Sequence, residues 1–228
     1  MKHTLIRSVQ EALRDGSLAL VAILLAFVIA EPAISSAVQS TFTISQTVTS
    51  EIAFLTAASN VTLSPSLGGI TGGTANGGTQ VVVTTNDHLG YQMTITASSS
   101  LGMLGNRDSA NTIPAYIPAA TNVPDFTFTT PSNAARFGYT AEASTTGDLT
   151  STFKDNGSAC NTGSGDTADA CWLNASTTAV TVINRSTATS GSGSTTTLKF
   201  RAVINSNPIP GIPDDTYVAT TTLTATAN

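Results

Sequence analysis

Charge is scarce in this chain. Only 10% of its 228 residues are Asp, Glu, Lys or Arg, and the formal net charge is −5. The part of the chain after residue 37 contains 6 basic and 11 acidic side chains. A surface with so little lysine and arginine excludes the basic patch that nucleic acid or an anionic membrane surface requires. We therefore expect no nucleic-acid partner.

Aromatic residues and histidines are also few, at 6% of the chain and two residues respectively. After residue 37 the one histidine is His88, which lies beside Asp87 in a predicted turn. A catalytic histidine needs a nucleophile and an orienting acid. No Gly-x-Ser-x-Gly or His-Glu-x-x-His motif supplies them. We predict a protein that is not an enzyme, has no cofactor, and exposes His88 to solvent.

No apolar run reaches the length of a membrane span. The longest, Leu18–Ala30, has 13 residues, whereas a spanning helix needs about 20. A head containing Lys2 and Arg7 precedes it, and the small residues Ser35–Ala37, which a signal peptidase prefers, follow it. We predict a signal peptide over residues 1–37 that is cleaved after Ala37, so that only this segment contacts a membrane. An uncleaved N-terminal anchor is the alternative.

Cysteine is limited to Cys160 and Cys171, which bound a short Gly/Ser/Asp-rich loop. In an exported chain two such cysteines indicate a disulfide. Two cysteines at this spacing without a nearby histidine do not match a zinc site.

Three carboxylates lie in or beside the same loop: Asp155, Asp166 and Asp169. Carboxylates on a constrained loop outside the cell can bind Ca²⁺, which prefers oxygen ligands. Their spacing does not match an EF-hand, so the alternative is a soluble acidic loop. Calcium is the one metal that the sequence suggests.

Threonine dominates what remains, with 40 residues, and it favours strands over helix interiors. Apolar residues recur at every second position in several segments, which predicts strands. The clearest are 41–50, 80–85, 91–97, 136–143, 179–183, 197–204 and 217–228. The pattern predicts an all-β, antiparallel sandwich of the Greek-key, immunoglobulin-like or jelly-roll kind over residues 38–228, with a possible subdivision near 100–125.

One connection has the features of a hairpin. Residues 80–85 and 91–97 both alternate, and the turn-forming residues 86–90 separate them. We therefore predict that these two strands pair with each other. The proline-rich residues 99–125 are predicted to be irregular, and 125–129 to form a short strand.

Two stretches resemble segments of secreted bacterial cell-surface proteins. One is Leu63–Ile95, LSPSLGGITGGTANGGTQVVVTTNDHLGYQMTI; the other is the ending, IPDDTYVATTTLTATAN. The ending is similar to the closing strand of WxL-type cell-wall-associated domains and of spore-coat and pilin-like sandwiches. The resemblance implies a non-enzymatic β-sandwich bound to the cell wall or to other surface subunits. The WxL motif itself is absent, since Trp172 directly precedes Leu173.

These observations predict an exported structural or adhesive protein that acts through sheet edges and loops. The closing strand, with Tyr217, Leu223 and Ala225, is the predicted assembly strand, because a terminal edge strand suits strand addition. Pairing of this strand within its own domain is the alternative. The competing functions are a carbohydrate-binding module, with Tyr116 as the exposed stacking residue, and a fibre or pilus-like subunit.

Overall fold

The computed structural model describes residues 38–228, together with residues 11, 14–17 and 20, which are helical. The chain divides into two compact units, Met1–Thr47 and Val48–Asn228. The other residues of the predicted signal peptide, which spans 1–37, lie outside the described residues. Among the described residues, none belongs to a helix that is long and apolar enough to cross a membrane.

The regular secondary structure of the second unit consists of strands, apart from two single-turn 3₁₀ helices at Thr146–Asp148 and Ser151–Phe153. Numbered in chain order, the strands are β1 Ile52–Thr56, β2 Gly73–Thr85, β3 Tyr91–Ala97, β4 Gly102–Gly105, β5 Thr112–Pro114, β6 Ala135–Ala143, β7 Leu173–Asn174, β8 Val180–Arg185, β9 Ser194–Ile204, β10 Tyr217–Val218 and β11 Thr221–Ala227.

These strands form three sheets in which all paired strands are antiparallel. The larger sheet has the order β1-β2-β9-β6-β7, and a three-stranded sheet has the order β11-β3-β8. The small third sheet has the order β10-β4-β5 and belongs to the same compact unit; its strands β4 and β5 lie within residues 99–125, which were predicted to be irregular. The predicted all-β antiparallel fold is confirmed.

Strict alternation places the core between the two main sheets. In β9, Leu198, Phe200 and Ala202 are buried, while the intervening Lys199 and Arg201 face outward. The buried rows of β2, β6 and β9 form one apolar cluster with those of β3 and β8. Each large side chain buried in this way stabilises the fold by about 1.5–3 kcal/mol. The two sheets therefore enclose a shared core, as in a sandwich.

The predicted hairpin is wrong in its pairing, although both of its strands exist. β2 pairs with β1 and β9, whereas β3 pairs with β8 and β11. Residues 86–90 therefore carry the chain from one sheet to the other, and Gly90 at their end has φ +81°. Alternation fixes which face of a strand is buried, but it does not specify the strand's neighbours.

The first predicted strand, residues 41–50, is also wrong. These residues carry no strand, and Phe42 and Ile44 are 81% and 84% exposed. The first strand is instead β1, which follows immediately and whose sequence, IAFLT, has no clear period. An alternating segment becomes a strand only when another strand supplies hydrogen bonds and apolar contacts.

The closing segment is divided rather than continuous. Tyr217 lies in β10 and pairs with β4, whereas Leu223 and Ala225 lie in β11 and pair with β3. The prediction of one long strand over 217–228 is therefore wrong, and Tyr217 does not share a strand with the other two residues. The predicted short strand at 125–129 is absent as well, since Asp125 makes only an isolated bridge with Trp172.

Candidate functional site

The two cysteines form the predicted disulfide, which is confirmed by the Cys160–Cys171 bond. The loop that it closes is also tied to Asp155, which forms antiparallel bridges with Cys160 and Gly165. The loop thus has a covalent constraint and a backbone constraint at the same place. Its shape is set by residues inside and immediately before it.

Asp155 organises this loop with its carboxylate. The side chain is 1% exposed and accepts hydrogen bonds from the Thr167 hydroxyl at 2.8 Å, the Thr167 N–H at 2.9 Å and the Gly157 N–H at 2.8 Å. Desolvation raises the pKa of Asp155, but these three donors outweigh it and the pKa is lowered. The carboxylate is therefore held as an anion by groups of its own loop.

The other two aspartates of the predicted calcium site have different partners. Asp166 accepts the Ala143 N–H at 3.1 Å, and desolvation, together with the nearby carboxylates of Glu142 and Asp155, raises its pKa. Asp169 lies 3.3 Å from Lys199 Nζ. Within residues 38–228 no group of three or more His, Cys, Asp or Glu is arranged to hold a metal ion. Calcium binding by the three aspartates stays a prediction.

Tyr116 is not the exposed residue that its proline-flanked loop suggested. It is 2% exposed, and its hydroxyl donates to Asp125 Oδ2 at 2.6 Å. Burial and this hydrogen bond raise the pKa of Tyr116. Its ring lies 4.5 Å from that of Phe128. Because so little of the residue is exposed, it cannot stack on a ligand, and the expectation of exposure is wrong.

Tyr116 belongs to an aromatic layer on the outer face of the five-stranded sheet. The Phe128 ring meets the Trp172 ring edge-on at 5.3 Å, and the Arg201 guanidinium lies over the Trp172 ring at 4.3 Å. Gly138 of β6 permits the close approach, since a Cβ there would lie 2.9 Å from Tyr116 Cβ and 2.8 Å from Leu173 O. This layer makes a wall beside the exposed face of β2 and β9.

A shallow cleft of about 510 Å³ lies against that wall. Its polar lining residues are Asn76, Thr79, Gln80, Asp169, Thr197, Lys199 and Arg201.

Two contacts fix the cations of this cleft. Arg201 Nε donates to Asn76 Oδ1 at 2.7 Å, and Lys199 Nζ lies 2.7 Å from Glu142 Oε1. Burial lowers the pKa of Lys199, but Glu142 and Asp169 outweigh it and raise the pKa. The cleft therefore offers fixed hydrogen-bond donors and acceptors beside an aromatic wall.

Lys199 and Arg201 are not among the site residues predicted from the sequence. A signal was available, because the chain has only 6 Lys and Arg after residue 37 and two of them lie on the outward face of one alternating strand. Two cationic residues two positions apart lie on the same face of a strand, and they distinguish that face from the hydroxyl-rich faces of the other strands. The covering loops could not be assigned to it, since they come from distant parts of the chain.

His88 lies where the turn prediction put it. Its side chain is 89% exposed, and its Nδ1 is 3.9 Å from Asp87 Oδ1. Asp87 instead accepts a hydrogen bond from Ser50 Oγ at 2.8 Å and one from the Leu89 N–H at 2.8 Å. The aspartate thus stabilises the turn and does not orient the imidazole.

The remaining candidate is the outer edge of β11. Thr220 O accepts from the Ser98 N–H, and the Asn228 N–H donates to Gly90 O, so the even-numbered residues between them direct their backbone groups toward β3. The backbone N–H and C=O groups of the odd-numbered Leu223 and Ala225 therefore point away from β3, toward the open edge. In residues 48–228 no strand pairs with this edge.

Apolar side chains along this edge are incompletely covered. Leu223 and Ala225 point to the core side, as do their partners Ile95 and Met93, yet they are only half-buried. Phe54 of β1 lies opposite the buried Val83 and is 37% exposed, although paired residues share a face. The rim of the sandwich therefore has an open edge next to partly exposed apolar groups.

The chain matches no known protein-family model and no curated protein sequence. The resemblance to WxL-type and other bacterial surface proteins therefore stays a prediction.

Proposed function

We propose that this chain is an exported, non-enzymatic structural or adhesive protein of the bacterial cell surface, and that it acts through the open edge of β11 and the adjacent loops. The observation that carries the proposal is this edge, where unpaired backbone groups and half-covered Leu223 and Ala225 lie together. Such edges accept strands from other chains. A hydroxyl-rich surface and the Cys160–Cys171 disulfide suit a location outside the cytoplasm.

The absence of protective features along β11 supports this proposal. Edge strands that must stay monomeric are usually blocked by lysine, proline or a bulge. Residues 221–227, TTLTATA, contain no charge and no proline, and their pairing with β3 is regular throughout. The edge is therefore suited to a partner.

Cell fractionation combined with electron microscopy of the native surface tests the proposal. We expect the protein in the wall or surface-polymer fraction, released by agents that disrupt protein association. A protein found only as a free monomer in the medium, or only in the cytoplasm, would contradict it. Edman sequencing of the surface protein also tests the signal peptide, with Val38 as the expected N-terminus.

Carbohydrate binding is the second candidate function. The cleft on β2 and β9 is a better location for a sugar site than the buried Tyr116. Gln80 and Thr197 line the cleft beside the fixed cations Lys199 and Arg201, and they are joined to each other by an exposed 3.4 Å hydrogen bond from Gln80 Nε2 to Thr197 Oγ1. We expect Gln80→Ala to reduce any signal on a glycan array at least tenfold, while Gln92→Ala, on the outer face of β3, leaves it unchanged. An equal response of the two variants would rule out this site.

A further inference from the structure

We infer that residues 41–49 of one chain add as a strand to the open β11 edge of a second copy. The inference rests on the proposed function and names the partner of that edge. It follows from two independent features: an alternating segment that belongs to no sheet, and a sheet edge on which no strand pairs among residues 48–228.

The donor segment has the side-chain pattern of a half-buried strand. Phe42, Ile44 and Val48 fall on one face, and threonines and Ser45 occupy the other. The three apolar side chains are 81%, 84% and 79% exposed. Residues 41–48 belong to no strand.

The point at which this segment leaves the sandwich is fixed. The Glu51 N–H donates to Asn86 Oδ1 at 2.7 Å, and Asn86 Nδ2 donates to Thr49 O at 3.0 Å. Asn228, which follows β11, donates from Nδ2 to Leu89 O at 2.8 Å in the same turn. Thr49, which ends the donor segment, and Asn228, which follows the acceptor strand, are thus held by the same turn.

The two partners agree in length and chemistry. β11 has 7 residues and the apolar row of the donor runs from Phe42 to Val48, so each spans about 23 Å at 3.3 Å per residue. Neither segment contains a charged residue or a proline. An added strand would place its apolar row beside Leu223 and Ala225 and cover Phe54. Gln46, the one polar residue of that row, disfavours registers that bury it.

Donor and acceptor are different patches of the same molecule, so their contact is heterologous. Such a contact repeats from copy to copy and produces an open filament unless its rotation closes a ring. The predicted product is a head-to-tail polymer in which each copy gives residues 41–49 and receives those of its neighbour.

Matched variants of the full chain test this assignment. Ile44→Arg places a charge in the apolar row of the donor, and Thr43→Arg places the same charge on the opposite face. Ala225→Pro removes an outward N–H but no β11–β3 hydrogen bond, and Ala225→Ser retains that N–H. We expect Ile44→Arg and Ala225→Pro to abolish polymers in size-exclusion chromatography and electron microscopy, and the two controls to assemble.

Mixing the two defective variants provides the decisive measurement. The Ala225→Pro chain keeps a sound donor and the Ile44→Arg chain keeps a sound acceptor, so the mixture should form a one-to-one heterodimer and nothing longer. If the mixture stays monomeric although each variant has the circular dichroism of the wild type, the inference is wrong.

The remaining outcomes separate this inference from the proposed function. Polymers that persist in Ile44→Arg would overturn the donor assignment while the surface role stands. A wild-type protein that is monomeric on the cell would overturn both. If Ala225→Pro does not fold, amide hydrogen exchange of the wild type decides instead: the Leu223 and Ala225 amides should exchange at least tenfold more slowly in the polymer than in Ile44→Arg.

Discussion

Arg185 donates from Nη1 to Asp148 Oδ2 at 2.6 Å, and both side chains are largely enclosed, at 19% and 8% exposure. Ser194 Oγ donates to the same carboxylate oxygen at 2.8 Å. The guanidinium also donates to Thr187 O and Ala188 O. This network joins β8, the start of β9 and the first 3₁₀ helix at one corner of the sandwich.

Removing the carboxylate should be costly, because it leaves a buried cation without its partner. We expect Asp148→Ala to lower the free energy of unfolding by about 3–5 kcal/mol, measured by urea denaturation. The control is Asp214→Ala, which removes an ion pair with Arg107 whose side chains are 96% and 72% exposed. That variant should lose less than about 1 kcal/mol, and a similar loss in both would contradict the argument.

Asp155 should make the fold sensitive to acid. Its folded-state pKa is lowered, so its contribution is complete above the unfolded value of about 3.9 and is lost as the pH falls through the folded value. Asp155→Asn should cost about 2 kcal/mol at pH 7, because the hydrogen bonds to an ionised acceptor are lost. The loss relative to wild type should shrink below about pH 4.

Asp166 is the matched comparison, because its pKa is raised and the sign reverses. Its ionisation opposes folding as the pH rises through the unfolded value toward the folded one. Asp166→Asn should therefore be neutral or stabilising at pH 7. Denaturation curves of both variants from pH 3 to pH 7 check this, and parallel pH profiles for the two would contradict it.

The disulfide should stabilise the fold through the short loop that it closes. Eleven positions separate its cysteines, and a loop of this size predicts about 2–3 kcal/mol in the chain-entropy model. We expect the double variant Cys160→Ser, Cys171→Ser to lower the free energy of unfolding by that amount. Reduction of the wild type should reproduce the loss, whereas an unchanged urea midpoint in both would contradict it.

Alternation along the chain was sufficient to find the strands that bury a complete row. β3, β6 and β9 lie within a few residues of their predicted bounds, because each has an apolar row covered by the opposite sheet. β1 was missed because it is an edge strand in which four of the five residues are exposed. An edge strand need not bury a complete face, so apolar and polar residues need not alternate in its sequence.

The pairing of the strands and the burial of loop residues such as Tyr116 could not be predicted, because both depend on residues far apart in the chain. β9 separates β2 from β6 in the larger sheet, and nothing in residues 80–97 indicates that the chain changes sheet between them. Tyr116 was expected to be exposed because prolines flank it. Its ring packs on Phe128, which packs on Trp172, and Gly138 leaves room for this layer. No local sequence pattern connects these residues with Tyr116.

Gly138 should control the aromatic wall of the cleft. A Cβ at this position would lie 2.8 Å from Leu173 O, 2.9 Å from Tyr116 Cβ and 3.1 Å from Phe128 Cε2, so the layer must move away from β6. We expect Gly138→Ala to cost about 1–3 kcal/mol, as overpacking does, and to expose Trp172 to water.

The chain has one tryptophan, so its fluorescence reports on this layer directly. The emission of Gly138→Ala should shift to longer wavelength in the folded state, with the shift present well below the urea midpoint. Gly191→Ala is the control, because a Cβ there meets nothing within 4 Å, and its spectrum should match the wild type. A stable Gly138→Ala protein with wild-type emission would show that the layer does not depend on the missing side chain.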